Sequence, residues 1–131
     1  MAKINRFEEI QAWKKARELT KAIYEATKVD PFHKDFALRD QVRRAAISVM
    51  SNVAEGFARR TDKEFINFLA IAHGSVAELQ SQLYVGLDQN YLPQERFDNL
   101  YSLAEETSRL IQGFPIIFSR SRGLRLQTHG S

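Results

Sequence analysis

The sequence predicts an all-α fold, an antiparallel up-down-up-down four-helix bundle, and three observations support this prediction. Apolar residues recur at three- and four-residue spacing in four segments of the 131-residue chain, which is the period of amphipathic helices. The polar–apolar alternation typical of a strand does not occur. The three prolines, Pro31, Pro93 and Pro115, fall where a helix can begin or end. Four such helices with short loops are typical of a bundle.

The first two helices are predicted over residues 7–27 and 35–58. Asp30-Pro31 supplies the turn between them. The apolar arc of the second helix is so broad that we expect this helix to be buried on more than one side. The predicted core residues are Trp13, Ala16, Leu19, Thr20, Ile23 and Thr27 in the first helix, and Leu38, Val42, Ala45, Ala46, Val49, Met50, Val53 and Phe57 in the second. Ile47 and Ala54 widen the second arc further.

The third helix is predicted over residues 62–89, after a capping box in which the Thr61 hydroxyl accepts a hydrogen bond from the Glu64 N–H. It carries two apolar stripes, so we expect it to pack against two partners. One stripe faces the core: Phe65, Phe68, Leu69, Ala72, Val76, Leu79, Leu83 and Leu87. The other, named here the outer stripe, consists of Ile66, Ala70, His73, Ala77 and Tyr84. It faces a neighbouring helix or a neighbouring subunit, and its members Ile66, His73, Ala77 and Tyr84 are the candidates for an oligomer interface.

The fourth helix is predicted over residues 93–114, with Pro93 in its first turn and Gly113 and Pro115 ending or kinking it. The bundle should therefore occupy residues 1–118, and residues 119–131 should form a basic C-terminal tail. A glycine inside a helix costs roughly 1 kcal/mol relative to alanine. We therefore expect Gly74 to permit a tight crossing of the second and third helices. Polar residues near that crossing form either a shared network or ordinary solvated pairs: Arg44, Asn52, Glu55 and Glu78.

Catalytic and metal-binding motifs are missing from the sequence. The chain has no cysteine, which excludes disulfides, thiolate zinc sites and a cysteine nucleophile. His33, His73 and His129 have no partner at metal-ligand spacing, and no phosphate-binding glycine loop or nucleophile elbow occurs. We therefore expect a non-enzymatic protein without a metal, cofactor or small-molecule substrate, although catalytic groups can also converge from separate helices. Since there is no membrane-length apolar run and no apolar signal core, we expect a cytoplasmic protein.

Charge is segregated along the chain, although the net charge is only +3. Residues 1–60 hold 13 Lys and Arg against 8 Asp and Glu, whereas residues 61–106 hold 2 against 8. Basic surfaces suit RNA or DNA, and opposite surfaces also suit contact between subunits. The nucleic-acid candidates are Lys14, Arg17, Lys21, Arg39, Arg43, Arg59, Arg60, Arg120 and Arg122. Because no aromatic platform is evident among them, we expect phosphate contacts rather than base stacking.

One long ordered pattern resembles a known family. It begins with Phe7-Glu8-Glu9, Trp13 and Ala16 and continues with Gln41-Val-Arg-Arg-Ala-Ala46, Ser48, Asn52-Val-Ala-Glu-Gly56 and Arg59. It ends with Glu64-Phe65, Phe68-Leu69, Ala72, Gly74-Ser75 and Glu78-Leu79. The chain from residue 7 to about residue 112 resembles the four-helix bundle proteins encoded in intervening sequences of bacterial 23S ribosomal RNA genes. The resemblance implies a four-helix bundle that assembles into a ring, typically a homopentamer. It supplies no catalytic residues.

The accessory proteins of diversity-generating retroelements are distantly similar to that family. They act through a basic surface that binds nucleic acid and a reverse transcriptase, so the likeness favours an oligomeric module that contacts RNA or DNA. The alternative is a protein–protein interaction scaffold, in which the basic residues meet acidic residues of neighbouring subunits.

Overall fold

Four α-helices form the body of the protein, as the sequence predicts. The computed structural model describes residues 3–121, with side chains described to residue 114. Within that range the helices are α1 Gln11–Thr27, α2 Phe36–Phe57, α3 Asp62–Asp88 and α4 Gln94–Ser121. Short 3-10 helices at Phe7–Glu9 and Phe32–Lys34 precede α1 and α2, and no strand occurs among residues 3–121. The all-α class and the four helices are therefore confirmed.

The helices pack around one apolar core. α2 lies against α1 and α3, and α4 lies against α3 and α1. The predicted stripes supply most of this core, with Leu19, Val49, Val76 and Leu83 fully buried. Ile47 is 41% exposed, so the broad arc of α2 reaches beyond the core to the surface of the chain.

Two side-chain caps fix where helices begin. The Thr61 hydroxyl accepts a hydrogen bond of 3.1 Å from the Glu64 N–H, which confirms the predicted cap of α3. Asp35 caps α2 in the same way, because its Oδ1 accepts from the Leu38 N–H at 3.1 Å. Such a cap satisfies one of the N–H groups that lack a partner inside the helix.

The last helix is longer than predicted. α4 continues through Gly113 and Pro115 to Ser121, so the expected end at residue 114 is wrong. Proline at position 115 removes one N–H, the donor to the Ile111 carbonyl, but the remaining backbone groups can still follow the helical path. Arg120 therefore lies in the last turn of α4, whereas Arg122 and the rest of the predicted tail lie outside the described residues.

The tight glycine contact lies at Gly56 and not at Gly74. A Cβ added at Gly56 would lie 2.6 Å from Phe68 Cβ and 2.9 Å from Phe65 Cδ1, so α2 and α3 approach closely there. A Cβ added at Gly74 would have no atom of the described chain within 4 Å. The expectation for Gly74 is wrong because this residue lies on the exposed side of α3 and not at the seam with α2.

Polar atoms between α2 and α3 form a smaller network than the one considered from the sequence. Ser48 Oγ and Ser75 Oγ lie 2.8 Å apart, and Asn52 Nδ2 donates to the Ser48 carbonyl at 2.8 Å and to Ser48 Oγ at 3.0 Å. Glu55 pairs instead with Arg59, four residues later and just beyond the end of α2. Hydroxyl groups therefore connect the two helices at this point.

Candidate functional site

Four basic side chains form a row on the outward face of α1. Lys14, Arg17, Lys21 and Lys28, named here the α1 basic row, are all exposed and fall within about 60° of the helix circumference. Lys15 lies outside this row, on the side of α1 that faces α4. Its ammonium contacts Glu18 and Glu106, each at 3.2 Å, and these hydrogen bonds raise the pKa of Lys15.

Arg43 of α2 lies beside the α1 basic row and is held by two contacts with α1. Its Nε donates to Thr27 Oγ1 at 2.8 Å, and its guanidinium lies 4.4 Å from the centre of the Tyr24 ring. The Thr27 hydroxyl can accept this bond because its own proton goes to the Ile23 carbonyl at 2.8 Å. The Tyr24 ring thus supports one face of the Arg43 guanidinium, and the Thr27 hydroxyl holds its edge at Nε.

Arg39 continues this seam toward the start of α2 but is more fully engaged. Its Nε donates to Asp40 at 3.0 Å, and its Nη1 donates to the His33 carbonyl at 3.1 Å. It also lies 4.8 Å from the centre of the Phe36 ring, and its side chain is only 19% exposed. Arg39 therefore holds the loop before α2 in place and offers less charge to a ligand than the α1 basic row does.

Aromatic rings accompany these arginines, contrary to the sequence-based expectation. Arg17 lies 5.9 Å from the centre of the Trp13 ring, which itself packs edge-on against Phe7 at 5.0 Å. Three of the candidate arginines on α1 and α2 thus lie over rings along one seam, namely Arg17, Arg39 and Arg43. The sequence analysis missed Trp13, Tyr24 and Phe36 as partners. The spacing of Trp13 to Arg17 and of Phe36 to Arg39 was a usable signal, since residues three and four apart are neighbours on a helix.

The remaining described candidates lie elsewhere. Arg59 and Arg60 follow the end of α2, about 30 Å along the helix axis from Arg39. Arg59 pairs with Glu55 at 3.0 Å and lies 4.8 Å from the centre of the Phe68 ring of α3. The candidate residues therefore do not form one continuous patch. The largest group is the α1 basic row together with Arg43.

The outer stripe of α3 presents apolar side chains at the surface of the chain. Ile66 is 36% exposed and Tyr84 is 48% exposed, Ala70 and Ala77 are exposed, and His73 is half-buried. Tyr84 packs against Phe97 and Tyr101 of α4, with ring centres 4.9 and 5.7 Å apart. Ile71 and Val85 are also exposed, at 52% and 45%, but lie farther around α3 on the side away from α4.

A shallow groove of about 230 Å³ lies between α3 and α4, lined by Ile66, Leu69, Ala70, His73, Ile111 and Gln112. In the described part of the chain, no group of three or more His, Asp or Glu residues is placed to hold a metal ion. None of the helices, over their described residues, is both long enough and apolar enough to cross a bilayer.

Comparison with known proteins places the fold in a family. A crystal structure of a protein of unknown function from the S23 ribosomal protein family of Bacteroides thetaiotaomicron VPI-5482 superposes with a TM-score of 0.73. The alignment covers 79% of this chain and 94% of that chain at 20% sequence identity, a level at which the likeness concerns the fold alone. No curated protein matches the sequence. The family model described as 23S rRNA-intervening sequence protein matches residues 8–113. The chain therefore belongs to the family of 23S rRNA-intervening sequence proteins.

Proposed function

We propose that this protein is a non-enzymatic cytoplasmic module, a bundle of antiparallel up-down-up-down topology that assembles into a homopentameric ring and contacts RNA or DNA electrostatically. The observation that carries the nucleic-acid role is the α1 basic row beside Arg43. Within the described residues, the ammonium groups of Lys14, Lys21 and Lys28 are exposed and have no acidic partner within ion-pair distance.

Contacts between successive helices support the antiparallel topology. Between α1 and α2, Thr20 bonds to Ala46 while the later residue Thr27 bonds to the earlier residue Arg43. Between α2 and α3, Ser48 contacts Ser75, and Gly56 adjoins Phe65 and Phe68. Between α3 and α4, Phe65 packs on Phe114, whereas Tyr84 packs on Phe97. In each pair, higher numbers on one helix meet lower numbers on the next.

The outer stripe of α3 supports assembly. Ile66, Ile71, Tyr84 and Val85 are large apolar residues that stay exposed on α3 in the single chain, and an assembly that covered them would remove apolar surface from water. A ring requires a heterologous contact, in which one patch meets a different patch of the next subunit. The basic segment of residues 1–60 and the acidic segment of residues 61–106 supply two such patches. The number of five subunits comes from the family resemblance.

Salt-dependent binding of mixed-sequence RNA and DNA tests the nucleic-acid role. The folded, full-length protein should shift both in gels at low salt, and the affinity should fall steeply as salt rises, because each phosphate contact releases counterions. Native mass measurement of the same sample, with and without RNA, reports the number of subunits. Absence of any complex at low salt would contradict the nucleic-acid role.

The alternative function is a protein-interaction scaffold without a nucleic-acid role, and the exposed outer stripe of α3 favours it. On this hypothesis the basic residues of one subunit pair with acidic residues of the next, such as Glu64, Glu78 and Asp88 of α3. High salt should weaken an assembly held by opposite charges on either hypothesis. The measurement that separates the two is therefore binding of RNA and DNA at low salt, which should be absent if the protein is a scaffold alone.

A further inference from the structure

We propose that the seam between α1 and α2 binds single-stranded nucleic acid by stacking bases on its arginine–aromatic pairs. This inference rests on the proposed nucleic-acid role and makes it more specific. A surface that contacts only phosphates has no means of recognising unpaired bases. A seam that stacks bases would recognise them and would therefore favour a single strand over a duplex.

Three pairs follow one another along the seam. Arg17 lies over Trp13, Arg43 lies over Tyr24, and Arg39 lies over Phe36. Trp13 and Tyr24 are eleven residues apart, which corresponds to about 16 Å along α1. Arg43 belongs to α2 but bonds to Thr27 of α1, and Arg39 bonds to the carbonyl of His33 in the connecting loop. The pairs therefore form a line along the meeting edge of the two helices.

Each pair offers a flat surface to a base. A guanidinium held against a ring keeps its plane oriented, and its other face is most accessible at Arg17, which is exposed, and least at Arg39, whose side chain is only 19% exposed. Unpaired RNA bases stack on aromatic side chains and on arginine planes. At Arg43 the Nε is engaged with Thr27, so the plane is fixed, and the two terminal nitrogens stay available for hydrogen bonds. The Phe36 ring is itself 63% exposed and can receive a base directly.

The surrounding charges suit a sugar–phosphate backbone that runs beside stacked bases. Lys14, Lys21 and Lys28 lie on the outward side of the seam, where they can neutralise phosphates. The two exposed acidic residues of α1 border the row on the side away from α2. Glu18 is paired with Lys15, and Glu25 lies one turn from Lys21 and Lys28 without forming an ion pair with either. Asp40 is engaged by Arg39. A duplex would present only phosphates to the flat faces of the pairs, because its bases are stacked inside the helix.

The chain carries its own optical probe, because Trp13 is its single tryptophan. We would titrate the full-length protein at low salt with a mixed-sequence RNA of about twelve nucleotides, and separately with the same sequence as a duplex. A base that reaches the Arg17–Trp13 pair should quench the Trp13 fluorescence. We expect quenching with the single strand and little or none with the duplex.

Two substitutions separate stacking from charge. Arg43→Lys keeps the positive charge but removes the planar guanidinium, and Tyr24→Leu keeps an apolar side chain but removes the ring. Each should weaken single-strand binding by about 5- to 150-fold, the effect expected from losing a stacked base, and should weaken duplex binding by a much smaller factor. Arg96→Lys, on the exposed face of α4, is the matched control and should alter neither. Circular dichroism confirms that each variant remains helical.

The results of these experiments distinguish a failure of base stacking from a failure of the proposed nucleic-acid role. If both nucleic acids bind but Arg43→Lys and Tyr24→Leu hold the single strand as tightly as the wild type, stacking is refuted and electrostatic binding stands. Absence of Trp13 quenching by a bound single strand refutes stacking in the same way. If neither nucleic acid binds, the proposed function fails, and this inference fails with it.

Discussion

The Tyr91 hydroxyl donates a hydrogen bond of 3.0 Å to Asp35 Oδ2, while Oδ1 of the same carboxylate caps α2 through the Leu38 N–H. One carboxylate thus joins the segment after α3 to the first turn of α2. The Tyr91 ring also packs on Phe32, with ring centres 5.2 Å apart. The loop before α2 and the loop after α3 are therefore tied together at one end of the protein.

This bond predicts how stability should change at alkaline pH. The hydrogen bond to Asp35 raises the pKa of Tyr91 above its ordinary value of 10.0. Its contribution to stability is complete below pH 10 and is lost as the pH rises through the raised pKa, because the folded state holds the proton more tightly. The free energy of unfolding, measured in urea from about pH 8 to about pH 11, should fall more steeply for the wild type than for Tyr91→Phe.

Part of the decline should persist in that variant. The pKa of Tyr101 is also raised, chiefly by the charge of neighbouring Tyr84, and the pKa of Lys15 is raised by Glu18 and Glu106. Identical slopes for the two proteins would contradict a stabilising role of the Tyr91 hydrogen bond.

Asp35→Ala also removes the cap of α2 and should lower the free energy of unfolding by about 1 kcal/mol at neutral pH.

Gly56 of α2 and Gly74 of α3 should respond to alanine in opposite directions. Gly56→Ala should lower the free energy of unfolding by about 1–3 kcal/mol, because the new Cβ would meet Phe68 Cβ, which is bonded directly to the α3 backbone. Gly74→Ala should raise it by up to about 1 kcal/mol through better helix propensity. Chemical denaturation at one protein concentration measures both. Loss of stability in Gly74→Ala would indicate that another subunit packs closely on this face of α3.

Replacing Lys14, Arg17 and Lys21 together by glutamine should weaken binding of all sequences alike. On duplex DNA each phosphate contact contributes about 0.9 to the slope of log affinity against log salt, so the slope should flatten by up to about 2.7 units. Filter binding over a range of salt concentrations measures this slope. The same substitution at three exposed positions outside the seam, Lys63, Arg96 and Arg109, serves as the control. An unchanged slope in the α1 variant would exclude this row from the binding surface.

Ala77→Arg should dissociate the assembly and leave the helices intact. Ala77 is exposed on the outer stripe and makes no contribution to the buried core, so a long charged side chain there acts on the subunit contact and not on the fold. Light scattering should then report the monomer mass of 15.1 kDa. Ser102→Arg, on the exposed face of α4, is the matched control. Tyr84→Glu is a less specific variant, because Tyr84 also packs on Phe97 and Tyr101.

Helix positions could be predicted from the sequence because they depend on local rules. Periodic apolar residues place the four helices, and Thr61 marks the start of α3 through its cap. The end of α4 was mispredicted because Pro115 forbids one hydrogen bond but does not force the chain out of the helix. Local rules say that proline disfavours a helix. They do not say whether the remaining helical hydrogen bonds outweigh the one that is lost.

The candidate site could be predicted only in part. The α1 basic row follows from helical spacing, which the sequence supplies. The Arg43–Tyr24 pair joins residues of two helices, so it depends on the axial register in which the helices pack, and helical periodicity alone does not specify that register. The glycine at the tight crossing was missed for the same reason, because Gly56 and Gly74 look alike until the facing helix is placed.

The hydroxyl pair of Ser48 and Ser75 has a consequence for how the two halves of the protein stay aligned. The buried residues on either side of it are small, such as Ala45, Val49, Ala72 and Val76, and small side chains tolerate sliding of one helix along another. The Ser48–Ser75 hydroxyl pair opposes such sliding, because a shift of one helical turn would break the hydrogen bond between these two half-buried hydroxyls. The strength of the α2–α3 association thus depends on apolar burial, whereas its axial alignment depends on a few polar atoms. The two properties can change separately during evolution.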